Sequence, residues 1–378
     1  MKPKVSVIGV GRLGLSFALL LDSKGYDVVG CDVNERYIDA LGHNTFISKE
    51  PFINGMMDNT NIIFTTDVVK ALNHGEIIFV FVQTPSKEGG NYDHKYVDQV
   101  VSKVKYNSVG GKTLVIGCTV MPTYCSKIQD DFDHCDVDVS VMYNPEFIAQ
   151  GSIVDGLRKA DIVLIGGNRN IEAVQGIYRN IMDKEPNFKC LSLTGAEITK
   201  ISINCFLTLK IAFANMIGEI ATNSNEERNI ESIMDAIGSD SRIGKKYLSY
   251  GFPAGGVCLP RDQKALTHHA HSVGIQTKYT NAIDEENERH SDYLTNYYIK
   301  QNPYKNIPFI FSYLGYKEGV DILTHSYQLK VCINLLREGY KVNVPLSVKE
   351  MDTPEEFKDY VYNDMVSFGE YLTGYKIN

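Results

Sequence analysis

Along the first half of the chain, short β-branched runs alternate with stretches of helical apolar spacing. The segment "KVSVIGVGRLGLSFALLLDSKGYDVVGCDVN" predicts a strand over Val5 to Ile8, a glycine turn, and an apolar helix through Leu13–Leu21 that Gly25 stops. A second strand, "YDVVGCD", ends at Asp32. Further apolar runs follow: "EIIFVFVQTPS" ending in Thr84, Pro85 and Ser86, "KTLVIGCTVMP" ending in Cys118 and Thr119, "DVSVMYNPEF" ending at Asn144 and Glu146, and "DIVLIGG". Strands alternating with helices predict an α/β fold with a parallel, doubly wound sheet. Ligands of such sheets sit beyond the carboxyl ends of the strands. Thr84, Thr119 and Glu146 fall just past strand ends and outline one rim, although each alone also reads as a turn residue or helix cap.

The pattern then changes. "LTGAEITKISINCFLTLKIAFANMIGEIA" keeps helical apolar spacing for about 25 positions, opening on a capping box, Thr194-x-x-Glu197. A helix this apolar must be buried on more than one side, and a second copy of itself is the expected cover, hence a homodimer. Lys200 and Asn204 are one turn apart and share a face. A lysine there needs a partner or a purpose; a snorkelling lysine near a helix start is the plainer reading. Later, "IPFIFSYLGYKEGVDILTHSYQLKVCINLLREGYKVNV" reads strand, loop, helix, Gly339, strand. These patterns predict two Rossmann-like parallel-sheet domains joined by a long central helix, with boundaries at 1–192, 193–296 and 297–378.

Composition narrows the classes. At 378 residues the chain is too long for one ordinary core. A formal charge of -8 gives no electrostatic case for nucleic acid or an anionic membrane. No apolar run is read as a membrane span, and no signal-peptide architecture opens the sequence. Eight scattered cysteines without a CxxC pair read as reduced thiols of a cytoplasmic protein, with no zinc site or disulfide framework. His268, His269 and His271 read as a solvated helix face, so no metal is expected.

Two stretches carry chemistry. Gly9, Gly11 and Gly14 form GxGxxG between a strand and a helix, and Asp32 follows 18 residues after Gly14. The glycines suit a tight turn, close phosphate approach and helix–sheet packing, and the helix N-terminus offers amide donors to a pyrophosphate. A carboxylate at Asp32 accepts from an adenosine ribose and repels a 2′-phosphate, which favours NAD over NADP. The second stretch is "GFPAGGVCLPRDQKAL". Gly255 and Gly256 let backbone crowd a ligand, Pro260 suits the first turn of a helix that ends at Gly274, and Cys258 precedes that helix, where the dipole favours a thiolate. Asp262 lies four residues on, within reach of the thiol or a water beside it. Thiol, carboxylate, lysine and bound NAD together suggest covalent oxidation of an aldehyde; a small buried hydrophobe is the plainer reading of Cys258.

In order and spacing, "GVGRLGL", Asp32, "VQTPS", "CTVMP", "NPEF", "AEITKISIN" with "KIAFAN", and "SRIGKKYL…GGVCLPRD" resemble the UDP-glucose/GDP-mannose dehydrogenase family. The likeness spans about residues 1–290 well and the remainder loosely. It implies a four-electron oxidation of a sugar-nucleotide C6 alcohol to the carboxylate with two NAD in sequence, feeding polysaccharide biosynthesis. By this resemblance Cys258 is the nucleophile, Lys200 and Asn204 stabilise an oxyanion, Asp262 activates water, Glu146 handles protons and Thr119 positions water or substrate. Gly9, Gly11, Arg12, Leu13, Gly14, Asp32, Thr84, Pro85, Thr119 and Lys317 would hold NAD. Glu146, Phe147, Lys200, Asn204, Arg242, Tyr247, Gly255, Cys258 and Tyr316 would hold the substrate, with Arg242 crossing a dimer interface. The chain departs from the family pattern at Pro253-Ala254 before Gly255, at Gln150 where an acidic residue is common, at Thr324 where an arginine is usual, and in its C-terminal tail. UDP-glucose is the expected substrate; GDP-mannose, a UDP-N-acetylhexosamine, and a degenerate binding protein without turnover are the alternatives.

Overall fold

Val5–Ile8 forms β1, and all four of its residues are buried. Three β-branched residues and Ser6, whose hydroxyl is satisfied by the Ala71 carbonyl at 2.7 Å, give a strand covered on both faces. Around it, the first unit of the chain, Met1–Ile201, builds an eight-stranded sheet. β2 (Val28–Cys31), β3 (Ile63–Thr65), β4 (Ile77–Val80), β5 (Lys112–Ile116), β6 (Val139–Tyr143), β7 (Val163–Gly166) and β8 (Phe188–Leu191) complete it, in the order β3-β2-β1-β4-β5-β6-β7-β8. The computed structural model describes residues 2–107, 110–148, 151–369 and 373–377; Gln150 lies outside the described residues.

Neighbouring strands pair in parallel, with one exception: β6 and β7 run antiparallel, Tyr143 facing Gly166. The helix between them, Ile153–Arg158, has six residues. One sheet face packs on the first helix, Arg12–Ser23, and on Ile171–Ile181 through Phe17, Leu21 and Tyr178. The other face buries Val97, Val104, Ile128 and Phe132.

The long helix runs from Leu193 to Asn223, 31 residues. Its cap is Ser192, whose Oγ accepts from the Gly195 N–H at 3.1 Å. This corrects the capping box expected at Thr194 and Glu197. Glu197 is fully buried and turns to another element, accepting from the Thr123 N–H at 2.6 Å and the Cys125 N–H at 2.7 Å. There it serves the helix Tyr124–His134, whose first amides lack intrahelical partners.

The second unit, Ser202–Asn378, carries a four-stranded parallel sheet in the order β11-β10-β9-β12, from β9 (Phe309–Phe311), β10 (Val342–Val344), β11 (Val366–Phe368) and β12 (Tyr375–Ile377). The strands and intervening helix read in "IPFIF…YKVNV" form as β9, Tyr327–Arg337 and β10, while β11 and β12 come from the tail. On the long helix, Phe206, Phe213, Met216 and Ile220 are exposed at spacings of seven, three and four. Among the described residues this helix is also long and apolar enough to cross a membrane by length and composition. That corrects the sequence reading that no such run exists: its polar residues are too few and too spread to lower the average.

Candidate functional site

In the first unit the candidate residues gather beyond the ends of β1, β4, β5 and β6. Gly9 has φ +89°, and a Cβ there would stand 2.5 Å from the Phe81 carbonyl oxygen. At Gly14 a Cβ would meet the Gly9 oxygen at 2.0 Å, so the helix sits directly on the turn. Gly11, the N-cap residue, faces open space, and the first turn of the helix, which starts at Arg12, holds no carboxylate. A bare, acid-free helix N-terminus on a buried sheet fits a pyrophosphate. Arg12 is exposed and Leu13 packs against the core. Asp32 follows β2 and caps the next turn, accepting from the Asn34 N–H at 3.1 Å.

Thr84 and Thr119, read separately as rim residues, touch: the buried Thr84 hydroxyl donates to the Thr119 carbonyl at 2.7 Å. Pro85 beside them is exposed. Downstream, Thr123 holds φ +77°, unusual for a β-branched residue, and its N–H is the one that Glu197 receives.

Glu146 and Lys200 also come together. Lys200 is buried, its Nζ donates to the Glu146 carbonyl oxygen at 2.7 Å and lies 4.4 Å from the centre of the Phe147 ring. The Glu146 carboxyl group meets the buried Tyr178 hydroxyl, which also lies 2.7 Å from Asn144 Oδ1. Burial lifts Glu146 to about 7, against the Tyr178 hydrogen bond and the Lys200 charge, which favour the carboxylate. A carboxyl group poised near neutrality suits general acid–base work. Tyr178 was not singled out from the sequence: within "IEAVQGIYRNI" it reads as one more apolar position of an amphipathic helix.

In the second unit Cys258 is exposed and occupies the N-cap of the helix Leu259–Ser272, with proline in its first turn. Asp262, on that first turn, is 1% exposed. Its N–H donates to the Cys258 carbonyl at 2.9 Å, and its Oδ2 accepts from Asn204 Nδ2 at 2.6 Å. Within the first unit Lys200 thus meets the Glu146 backbone, and within the second Asn204 meets the Asp262 carboxylate.

Both glycines before the cysteine are crowded by protein. At Gly255 a Cβ would lie 2.4 Å from the His325 oxygen, and at Gly256, with φ +84°, 2.7 Å from the Tyr316 ring. The start of the loop is clamped too. The Gly251 N–H donates to Asn215 Oδ1 at 3.0 Å, and the Gly251 carbonyl lies 2.8 Å from His290 Nε2. His290 is buried with its Nδ1 on Glu219, which Arg289 also grips. Neither Asn215 nor His290 was foreseen, since both lie far from the cysteine in sequence. Lys317 is exposed beside Tyr316. Arg242 is exposed and folded onto Asp240 at 2.6 Å, and Tyr247, with φ +61°, is half exposed.

Comparison with known proteins fits these features. Residues 3–182 match the NAD binding domain of the UDP-glucose/GDP-mannose dehydrogenase family, and residues 194–289 match its central domain. The UDP-glucose 6-dehydrogenase of Rickettsia felis is 28% identical over 375 residues, 96% of this chain and 83% of that one. The GDP-mannose 6-dehydrogenase of Pseudomonas putida is 25% identical over 358 residues, 90% of this chain and 80% of that one. Among solved structures, a UDP-glucose dehydrogenase from Pyrobaculum islandicum superposes with a TM-score of 0.84 at 25% identity, covering 98% of this chain and 87% of that one. The chain belongs to the UDP-glucose/GDP-mannose dehydrogenase family, and its cofactor is NAD.

Proposed function

We propose that the protein oxidises the C6 alcohol of UDP-glucose to the carboxylate through a thioester on Cys258. The observation that carries this is an exposed thiol at a helix N-cap with a buried, hydrogen-bonded carboxylate one turn along. NAD, when bound, supplies the hydride acceptor for both oxidations. The alcohol first loses a hydride and a proton and becomes an aldehyde. The Cys258 sulfur then adds to C6 and gives a tetrahedral thiohemiacetal. Loss of a second hydride from C6 and of the proton on its oxygen leaves the thioester, and water cleaves it to the carboxylate and the free thiol. Two hydrides and four electrons leave the substrate.

Lys200 and Asn204 stabilise the oxyanion at C6 by charge and hydrogen bonding. Glu146 and Asp262 take up the protons that alcohol and water release, and Thr119 positions the attacking water. Gly9, Gly11, Arg12, Leu13, Gly14, Asp32, Thr84, Pro85, Thr119 and Lys317 hold the cofactor. Phe147, Arg242, Tyr247, Gly255 and Tyr316 shape the sugar-nucleotide pocket. We keep the division 1–192, 193–296 and 297–378 for cofactor, dimerisation and nucleotide-binding domains. The exposed apolar stripe of Phe206, Phe213, Met216 and Ile220 supports a homodimer: the same helix buries Glu197, Lys200, Asn204, Asn215 and Glu219 on its other sides. Such a helix packs in protein at both faces more readily than in lipid. A cytoplasmic setting accords with eight cysteines that form no disulfide among the described residues. GDP-mannose is the second candidate substrate, given the similarity to a GDP-mannose 6-dehydrogenase.

Mass spectrometry of Cys258→Ser after incubation with UDP-glucose and NAD tests the covalent step. An alkoxide leaves less readily than a thiolate, so the variant should accumulate an ester or stop at the aldehyde. Free uronate at the wild-type yield would make Cys258 structural and the covalent mechanism wrong.

A further inference from the structure

Asn144 and Tyr178, both buried, and the half-buried Glu146 form a row whose hydrogens can be counted. Asn144 Nδ2 donates to the Leu164 carbonyl at 2.9 Å, which fixes the amide and aims Oδ1 at the Tyr178 hydroxyl, 2.7 Å away. On its other side the same hydroxyl meets Glu146 Oε1. A phenol has one hydrogen and faces two acceptors when Glu146 is ionised. It then donates to the carboxylate, the stronger acceptor, and Asn144 Oδ1 goes without that hydrogen. When Glu146 is protonated, its own O–H donates to the phenol oxygen and the phenol hydrogen turns to Asn144. No hydrogen leaves the row in either state; one arrives at Glu146 and one rotates.

We infer that Tyr178 is a positioning residue for Glu146, a two-position donor that answers each change of protonation at that carboxyl group by turning between Glu146 and Asn144. The inference rests on the reading of Glu146 as the proton-handling group. Each state keeps a hydrogen-bonded carboxyl in place, so Glu146 can take a proton and return it without moving. Among the described residues of this unit the titratable groups that face it are Tyr178 from Ile171–Ile181 and Lys200 from the long helix, and burial holds the phenol itself well above its ordinary range. Tyr178 therefore keeps its hydrogen throughout.

The test needs no substrate. Carbon-13 is placed in the glutamate carboxyls and asparagine side-chain carbonyls, and Glu146 and Asn144 are assigned from the signals lost in Glu146→Gln and Asn144→Leu. In the wild-type protein the Asn144 carbonyl should titrate with the same midpoint as Glu146, because it gains the phenol hydrogen only as Glu146 protonates. A flat Asn144 signal through that midpoint would overturn the inference. Tyr178→Phe should flatten the Asn144 response and move the Glu146 midpoint up by roughly one pH unit, since a hydrogen bond to the ionised form is the stronger one lost. Asn144→Leu should move it down, and the double variant should match Tyr178→Phe alone. Additive shifts in the double variant would mean that Asn144 acts on Glu146 without Tyr178. If the coupled titration appears while the pH profile of thioester hydrolysis ignores it, the switch stands and the catalytic role of Glu146 falls.

Discussion

Glu146 binds a proton more tightly in the fold than in the unfolded chain, because burial penalises its charge and lifts it from its ordinary 4.5 to about 7. Linkage fixes the sign. The folded state holds more protons between those values, so this residue's contribution to stability is full below pH 4.5 and is lost as pH rises through 7. Glu146→Gln removes that dependence. The difference in denaturation midpoint between wild type and variant should grow in the variant's favour from pH 5 to pH 7.5; a constant difference would place Glu146 in water-like surroundings. At this scale Cys258, Lys200, Asn204 and Asp262 were singled out by residue type and spacing; the structure brings Asn204 onto Asp262 and Lys200 onto the Glu146 backbone, and their chemical roles are those proposed above. Glu197, Tyr178 and His290 were not legible, because each acts on a segment distant in sequence: Glu197 on the amides at Thr123 and Cys125, Tyr178 on Glu146, His290 on Gly251.

Elements were legible where their pattern is long. The runs that became β1, β2, β4, β5 and β6 are rich in Val and Ile, and the helix Leu193–Asn223 keeps its period for eight turns. β3, β11 and β12 have three residues each and too few positions for alternation to show; β9 and β10 are as short but flank a helix of clear period and the glycine after it, and nothing in the residue pattern marks β7 as antiparallel to β6. Two predictions belong to this scale. The stripe on the long helix exposes Phe206 at 58% and Phe213 at 39%. Burying such rings against a second copy stabilises by about 2 kcal/mol each, so Phe213→Glu should turn a dimer into a monomer in sedimentation velocity at micromolar concentration. An unchanged sedimentation coefficient would remove this face from the interface. In the cysteine turn, Gly256 combines φ +84° with a Tyr316 ring 2.7 Å from any added Cβ. Gly256→Ala should therefore lower the melting temperature and slow thioester formation together, through strain of about 1–3 kcal/mol; a neutral outcome would show that the turn yields easily.

For the whole molecule, the first unit carries a bare glycine turn and an acid-free helix N-terminus, as NAD binding requires, and the second carries an exposed thiol at a helix N-terminus, on which the proposed covalent step rests. The order of motifs carried the family and its NAD chemistry. It did not carry the base or the sugar, because no motif spacing in the sequence distinguishes them. The most direct measurement of the central claim is the stoichiometry of NADH formed per sugar nucleotide consumed, followed at 340 nm with the product separated by chromatography. With limiting UDP-glucose and excess NAD the protein should form two NADH per substrate and release UDP-glucuronate without free aldehyde. One NADH with aldehyde released, or no NADH from UDP-glucose, GDP-mannose and the UDP-N-acetylhexosamines alike, would contradict it.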